Sequence, residues 1–192
     1  MLPIPAMDRG RIDEPTLAWV ERLHAAVDEL AAPIVATHGE RLVCRAGCTG
    51  CCADGLTVFE IEAALIEARH PELLASQAPH EEGACAFLDA EGACRVYAVR
   101  PYVCRTQGLP LRWLDEDDDG EPYEARDVCP LNAGVGALEE LEAEAMWTIG
   151  PIEQRLAERQ GSIDGGIGRR VALRDLFAAN GSQRRRLAMV KE

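Results

Sequence analysis

Cys44-Arg45-Ala46-Gly47-Cys48-Thr49-Gly50-Cys51-Cys52 carries four thiols in nine residues, and its reading decides what kind of fold surrounds it. A lone cysteine is most simply a small buried apolar residue. Four so close together, interrupted by Gly47 and Gly50, instead describe a loop that turns tightly around something. Thiolates are soft ligands that select zinc, iron–sulfur clusters or copper(I). Cys44, Cys48 and Cys51 have the spacing to wrap one centre as ferredoxin-type runs do. Cys52 points away from Cys51 along most backbones, so it serves a second centre or remains a free thiol.

Further along, Cys85, Cys94, Cys104 and Cys129 bring the count to eight. The spacing is C-x3-C-x2-C-C, then 32 residues, then C-x8-C-x9-C-x24-C. Residues 1–9 have no apolar run behind a basic region, and no segment approaches the ~20 apolar residues of a membrane span. A cytoplasmic, reducing location is therefore expected, where stable disulfides are disfavoured. Metal binding or redox chemistry is then the reason for eight cysteines. The net charge of -13 argues against a nucleic-acid partner, because phosphate binding needs a basic surface. No membrane partner is expected, and the partners are a metal ion and an unidentified protein.

A chain of 192 residues suits one domain with a real core. Aromatics are only 5%, so Ala, Leu, Val and Ile must supply most of that core. The pattern predicts a helix over 14–38, with apolar Leu17, Val20, Leu23, Val27, Leu30 and Ile34 at helical spacing. Pro15 suits its first turn, Gly39 its end, and Pro33 is a site for a kink. Thr57 and Glu60 read as a capping box for a second helix over 57–70, stopped by Pro71. Residues 77–130 are loop-rich, with a hairpin of 109–113 and 123–127 around the acidic tip 115–121. A third helix is predicted over 133–147 and a fourth from Pro151 to about Arg159. Gly161–Gly168 reads as a flexible break before a short fifth helix over 171–178. Seven basic residues follow from Arg169 to the end, against Asp175 and Glu192. The expected organisation is one cysteine-cluster domain over 1–160, with its metal-ligand region at 44–130. Residues 161–192 would form the break and a short basic C-terminal helix or tail.

The whole cysteine pattern resembles the CxxCxxCC (YkgJ-like) family of zinc- or iron-chelating proteins. The residues that carry the resemblance are the Cys44–Cys52 block, Cys85-Ala86-Phe87-Leu88, Cys94-Arg95-Val96-Tyr97, Arg100-Pro101-Tyr102-Val103-Cys104-Arg105 and Cys129-Pro130. One departure is that three residues separate Cys44 from Cys48, where the family's name implies two. The resemblance implies chelation by Cys44, Cys48, Cys51, Cys52, Cys85, Cys94, Cys104 and Cys129, and supplies no reaction. A similar cluster in flagellin lysine methylases keeps open a link to a modifying enzyme. Tyr97, Arg100 and Arg105 are candidates to stand beside the metal ligands, since hydroxyl and guanidinium donors stabilise an anionic thiolate centre.

Other readings fit less well. The Cys44, Cys48, Cys51 triad also matches radical SAM enzymes, but no alternation of strands and helices accompanies it. Cys48-Thr49-Gly50-Cys51 as a redox CxxC lacks the preceding strand. Asp115-Glu116-Asp117-Asp118-Asp119-Gly120 begins like a calcium loop, yet its twelfth position is Arg126. His24 and His38 read as helix-face residues, none of His24, His38, His70 and His80 forms a zinc-like pair, and Met146 and Trp147 read as core. No Ser/His/Asp set, phosphate loop or dinucleotide fingerprint is present, so no catalytic residue is assigned. The sequence thus predicts a mainly α, small helical domain with long irregular cysteine-rich loops and one β-hairpin. Its cofactor would be an iron–sulfur cluster, of the 4Fe–4S type, or zinc, in a redox or accessory role. The alternatives are a structural zinc module for protein contacts, or a relative of an iron–sulfur-dependent modifying enzyme of methylase or radical SAM type.

Overall fold

The computed structural model describes residues 12–44 and 47–177. The expectations of a loose N-terminal tail over the first eleven residues and of a basic tail beyond 177 lie outside them.

The first helix, α1 (Glu14–His38), starts where Asp13 accepts a hydrogen bond from the Thr16 amide at 3.0 Å, with Pro15 in its first turn. It runs unbroken through Pro33 and ends at Gly39, whose φ of 53° suits glycine. Leu17, Val20, Leu23, Val27 and Ile34 are buried as the spacing predicts. Leu30 is not: it is 57% exposed, and Ala31 takes the stripe forward in its place.

The next helix, α2 (Glu60–Arg69), is buried on two faces, which makes it the central element. Ile61 and Leu65 join a core with α1, Tyr102, Leu109, Trp147 and Leu156. Ala63 and Ile66 join a second core with Phe87, Val96, Leu173, Leu176 and Phe177, against which Cys85 and Cys94 pack. The Thr57 capping box is not formed. Thr57 belongs instead to a strand, β1 (Thr57–Phe59), paired antiparallel with β5 (Arg170–Ala172). The buried helix-start donors are met from a distance: Glu60 N–H by the Arg169 carbonyl at 3.1 Å, Ile61 N–H by Gln160 Oε1 at 3.0 Å. A tertiary cap has displaced the local one.

Pro71 opens a short helix, α3 (Pro71–Ser76), and after the irregular segment with Cys85 and Cys94 comes α4 (Tyr102–Thr106). The predicted hairpin forms from β2 (Leu111–Glu116) and β3 (Pro122–Asp127), with Leu111 opposite Asp127 and Glu116 opposite Pro122. Its acidic tip is tied by its own side chain, since Asp117 Oδ1 accepts from the Asp119 and Glu121 amides.

The helix predicted over 133–147 is absent. Short 3-10 turns at Pro130–Val135, Leu138–Glu140 and Ala143–Ala145 lead into β4 (Trp147–Thr148), which lies parallel to β2. Gly136 has φ 112° and breaks any helix there. Glu140 and Glu144, four apart, would repel along a helix face. Arg126 collects the freed carbonyls of Leu138 and Leu141. Met146 and Trp147 are core as expected, but by way of a strand.

The last helix, α5 (Pro151–Asp164), passes Arg159 and continues to a left-handed Gly165. The glycine-rich segment behind it is hydrogen-bonded, with Asp164 accepting from the Ile167, Gly168 and Arg169 amides. The strand β5 occupies the start of the predicted fifth helix, and only residues 175–177 are helical before the description ends. About half of the fold is helical and 13% is strand, which makes it a small mixed domain. No helix of the described residues is long and apolar enough to cross a membrane.

Candidate metal centre

The eight thiols are all free, with Cys44 and Cys51 exposed and the other six half-buried. The Cys48–Cys52 loop closes on itself where the Cys52 amide donates to the Thr49 carbonyl at 2.9 Å. The Cys52 carbonyl in turn accepts from the Cys85 amide at 2.9 Å, so the two halves of the cysteine pattern meet backbone to backbone. Cys94 lies in a bridge with Leu88, which folds the 85–94 segment back on itself. Its turn is held by Asp89, which accepts from the Glu91 and Ala93 amides, and Gly92 abuts Thr49.

Electrostatics divide the thiols into two groups. Burial raises Cys51 first, and the like charges of Cys44, Cys48 and Cys129 raise it further. Burial also lifts Cys52, to about 12, with Cys51, Cys85 and Cys94 adding to it. Cys104 is raised by burial and then by Cys85, Cys94 and Cys52. Cys94 is raised by burial and by Cys85, against the pull of the Val96 amide and of the Arg100 and Arg95 guanidinium groups. The neighbours are therefore Cys44, Cys48, Cys51 and Cys129 on one side, and Cys52, Cys85, Cys94 and Cys104 on the other. Cys51 and Cys52, adjacent in the chain and hydrogen-bonded to each other through their side chains, are where the two groups touch. Each set of four thiols matches the donor number that zinc and iron–sulfur clusters take. Among the described residues no three of these side chains already surround a common point.

The three flanking candidates have different surroundings. Arg100 stacks over the Tyr97 ring at 4.0 Å, and its charge is felt by Cys94. Tyr97 is 62% exposed and meets Cys94 through its backbone, its amide donating to the Cys94 carbonyl at 3.3 Å. Arg105 turns to α1, pairing with Asp28 at 2.5 Å and donating to the Arg100 and Ala98 carbonyls, which fixes the 98–105 segment on the helix. His24 and His38 are buried helix-face residues, as read, and bind Glu62 and the Ala145 carbonyl respectively.

Sequence reasoning missed four residues that shape the site. Arg95 lies within electrostatic reach of Cys94. Arg174 bonds Asp54 and the carbonyls of His80, Glu81 and Ala84, bracing the approach to Cys85. It holds the Asp54 carboxyl down at about 2. Asn132 sits in the turn after Cys129, and its only sequence signal was that position. Glu62, in the first turn of α2, is 3% exposed.

Glu62 seats the Cys104 segment. Its Oε1 accepts from the Tyr102 amide at 2.8 Å and from His24 Nε2 at 3.0 Å. Glu62→Leu leaves both buried donors unmet, at about 1–3 kcal/mol each. We expect a loss of about 3 kcal/mol, or roughly 6–12 °C in melting temperature for a chain of this size. Glu62→Gln, which keeps an acceptor, should lose less. Thermal melts of the two variants check this, and equal melting of native and Leu variants would remove Glu62 from the support of α4.

Residues 43–130 match the family model CxxCxxCC, described as "putative zinc- or iron-chelating domain". The match ends at Pro130, just past Cys129, so all eight thiols lie inside it. No curated protein matches the chain, and no solved structure does.

Proposed function

We propose, from the premise that residues 43–130 carry a CxxCxxCC domain, that this chain chelates iron or zinc at two four-thiol centres. One centre would be held by Cys44, Cys48, Cys51 and Cys129, the other by Cys52, Cys85, Cys94 and Cys104. The observation that carries this reading is the division of eight neighbouring thiols into two sets of four. A set of four thiolates fills a tetrahedral metal and leaves no open position, which favours an electron-transfer or structural role over Lewis-acid catalysis. We read the centres as iron–sulfur, because the Cys44–Cys51 loop is ferredoxin-like. Arg95 and Arg100 supply positive charge beside Cys94, as an anionic cluster requires. An accessory or redox role follows, with a protein partner as the recipient of electrons. Structural zinc is the second reading, favoured by the completeness of each donor set.

Anaerobic purification with metal and sulfide analysis and an absorption spectrum is the test. A broad band near ~400 nm with labile sulfide selects iron–sulfur, and a colourless zinc protein selects the second reading. Absence of any bound metal would refute both.

The raised thiols also predict a proton signature. At neutral pH Cys51, Cys52, Cys94 and Cys104 are held neutral in the metal-free chain, so chelation must expel their protons. Zinc uptake should therefore release protons, and affinity should rise with pH. The metal-free fold responds the other way. Cys52 is raised from 9.0 to about 12, so its contribution to stability is present below pH 9 and is lost as pH climbs toward 12. Calorimetric titration with zinc in buffers of different ionisation enthalpy reads the proton count, and zinc uptake without proton release would contradict it.

A further inference from the structure

We propose that Asn132 is a positioning residue of the first thiol group, its amide donating a hydrogen bond that holds Cys44 Sγ ready as a metal ligand. The inference rests on the chelation reading above. The Asn132 side chain is fully buried, at 0% exposure. It makes three bonds to two separate segments: Oδ1 accepts from the Val43 amide at 2.8 Å, and Nδ2 donates to the Gly108 carbonyl at 2.6 Å and to Cys44 Sγ at 3.1 Å.

Chemistry fixes the orientation of this amide. The Val43 N–H only donates and the Gly108 carbonyl only accepts, so the carbonyl end must face Val43 and the amino end Gly108. The remaining N–H meets the Cys44 sulfur as a donor. A hydrogen bond donated to the sulfur fixes where it sits, as contacts beside a metal ligand orient it. The Asn132 backbone amide also donates to the Cys129 carbonyl at 2.7 Å. One residue thus ties the first thiol of the group to the last, across 85 positions of chain that no spacing rule connects.

Gly108 makes the approach possible. Its φ is 103°, and a Cβ there would lie 2.8 Å from Cys44 Sγ. The backbone at 108 therefore comes closer to the sulfur than any side chain allows, and its carbonyl shares the same amide. A residue kept only for packing would be satisfied by Val43 and Gly108; the third bond goes to the thiol.

Zinc alone is the probe. The metal-free chain is loaded under anaerobic, reducing conditions, and release to an excess of chromogenic chelator is followed. The native chain should release zinc in two phases, one per group. Asn132→Asp keeps the size and the acceptor for Val43 but replaces the donor with an oxygen facing the sulfur. Loss of such a supporting bond should speed the phase from the Cys44 group about 10–100-fold and leave the Cys52 group unchanged. An unchanged rate, or equal acceleration of both phases, overturns the assignment. A native chain that takes up no zinc overturns the chelation reading instead. If Asn132→Asp does not fold, nuclear magnetic resonance of the native chain decides. The Asn132 Nδ2 protons should shift when cadmium is loaded, and should not shift in Cys44→Ser. No shift in the native chain overturns the proposal.

Discussion

Cys51→Ala is expected to empty one metal centre and spare the other, while Cys52→Ala, a change at the very next residue, does the reverse. The two thiols are hydrogen-bonded to each other, but their other thiol neighbours differ: Cys44, Cys48 and Cys129 for Cys51, and Cys85, Cys94 and Cys104 for Cys52. A tetrathiolate site that loses one ligand loses a full coordination bond, a larger deficit than the 10–100-fold cost of a supporting contact. Each variant should therefore keep about half of the native metal after gel filtration in the presence of a weak chelator. Cys129→Ala should behave like Cys51→Ala, and Cys104→Ala like Cys52→Ala. Metal content per chain, measured on anaerobically prepared protein, checks all four. If Cys51→Ala and Cys52→Ala each lose all the metal, the thiols share one centre and the division fails. If Cys129→Ala pairs with Cys104→Ala, the division exists but the membership is wrong.

Metal removal should loosen the thiol-bearing segments and leave the helical body intact. The first core, built from α1, Ile61, Leu65, Tyr102, Leu111, Trp147, Ile152 and Leu156, contains no cysteine. Its burial does not depend on chelation, and a chain of this size does not need a metal to fold. The segment around Cys48–Cys52 is irregular, with Cys44 and Cys51 exposed, and gains little from burial to offset its chain entropy, whereas the turn after Cys129 is anchored by the buried Asn132 and Val135. Cys85 and Cys94 are intermediate, because they pack on the second core beside Phe87 and Val96. Hydrogen exchange is therefore expected to be about tenfold or more faster in the metal-free than in the loaded protein at 47–52, and less so at 85–96 and 129–135. The amides of α1 and of the β2–β3 hairpin should hold their protection, the hairpin because β4 pairs with β2. Loss of protection from Leu17 to Ile34 would show instead that the metal is the core of the fold. No change at 47–52 would show that these thiols hold none.

What the chain states locally, it states well. Pro15 and Gly39 bound α1, and Pro151 opens α5. The hairpin forms around its acidic tip. Each of these is decided within a few residues, by a fixed proline φ, a turn or an apolar period. The cysteine spacing likewise disclosed the resemblance that the family model matches over 43–130, because eight thiols in order at these intervals are a specific pattern.

The misreadings share a cause. Thr57 has the local form of a helix cap, but Arg170–Ala172 claims it as a strand, and Gln160 caps the helix from 99 residues away. The 133–147 segment has helical composition, but Gly136, the glutamates and the pull of Arg126 on its carbonyls resolve it into turns and a strand beside β2. The sequence by itself determined that this protein has a long capped helix, a hairpin and a thiol-rich loop suited to metal. Only the tertiary structure decided which thiols are neighbours, that Glu62 is buried beneath the Cys104 segment, and that Asn132 reaches Cys44. Those contacts join residues 40 and 88 positions apart. Their energies come from burial and from satisfying donors hidden from water, and neither exists until the chain has closed on itself.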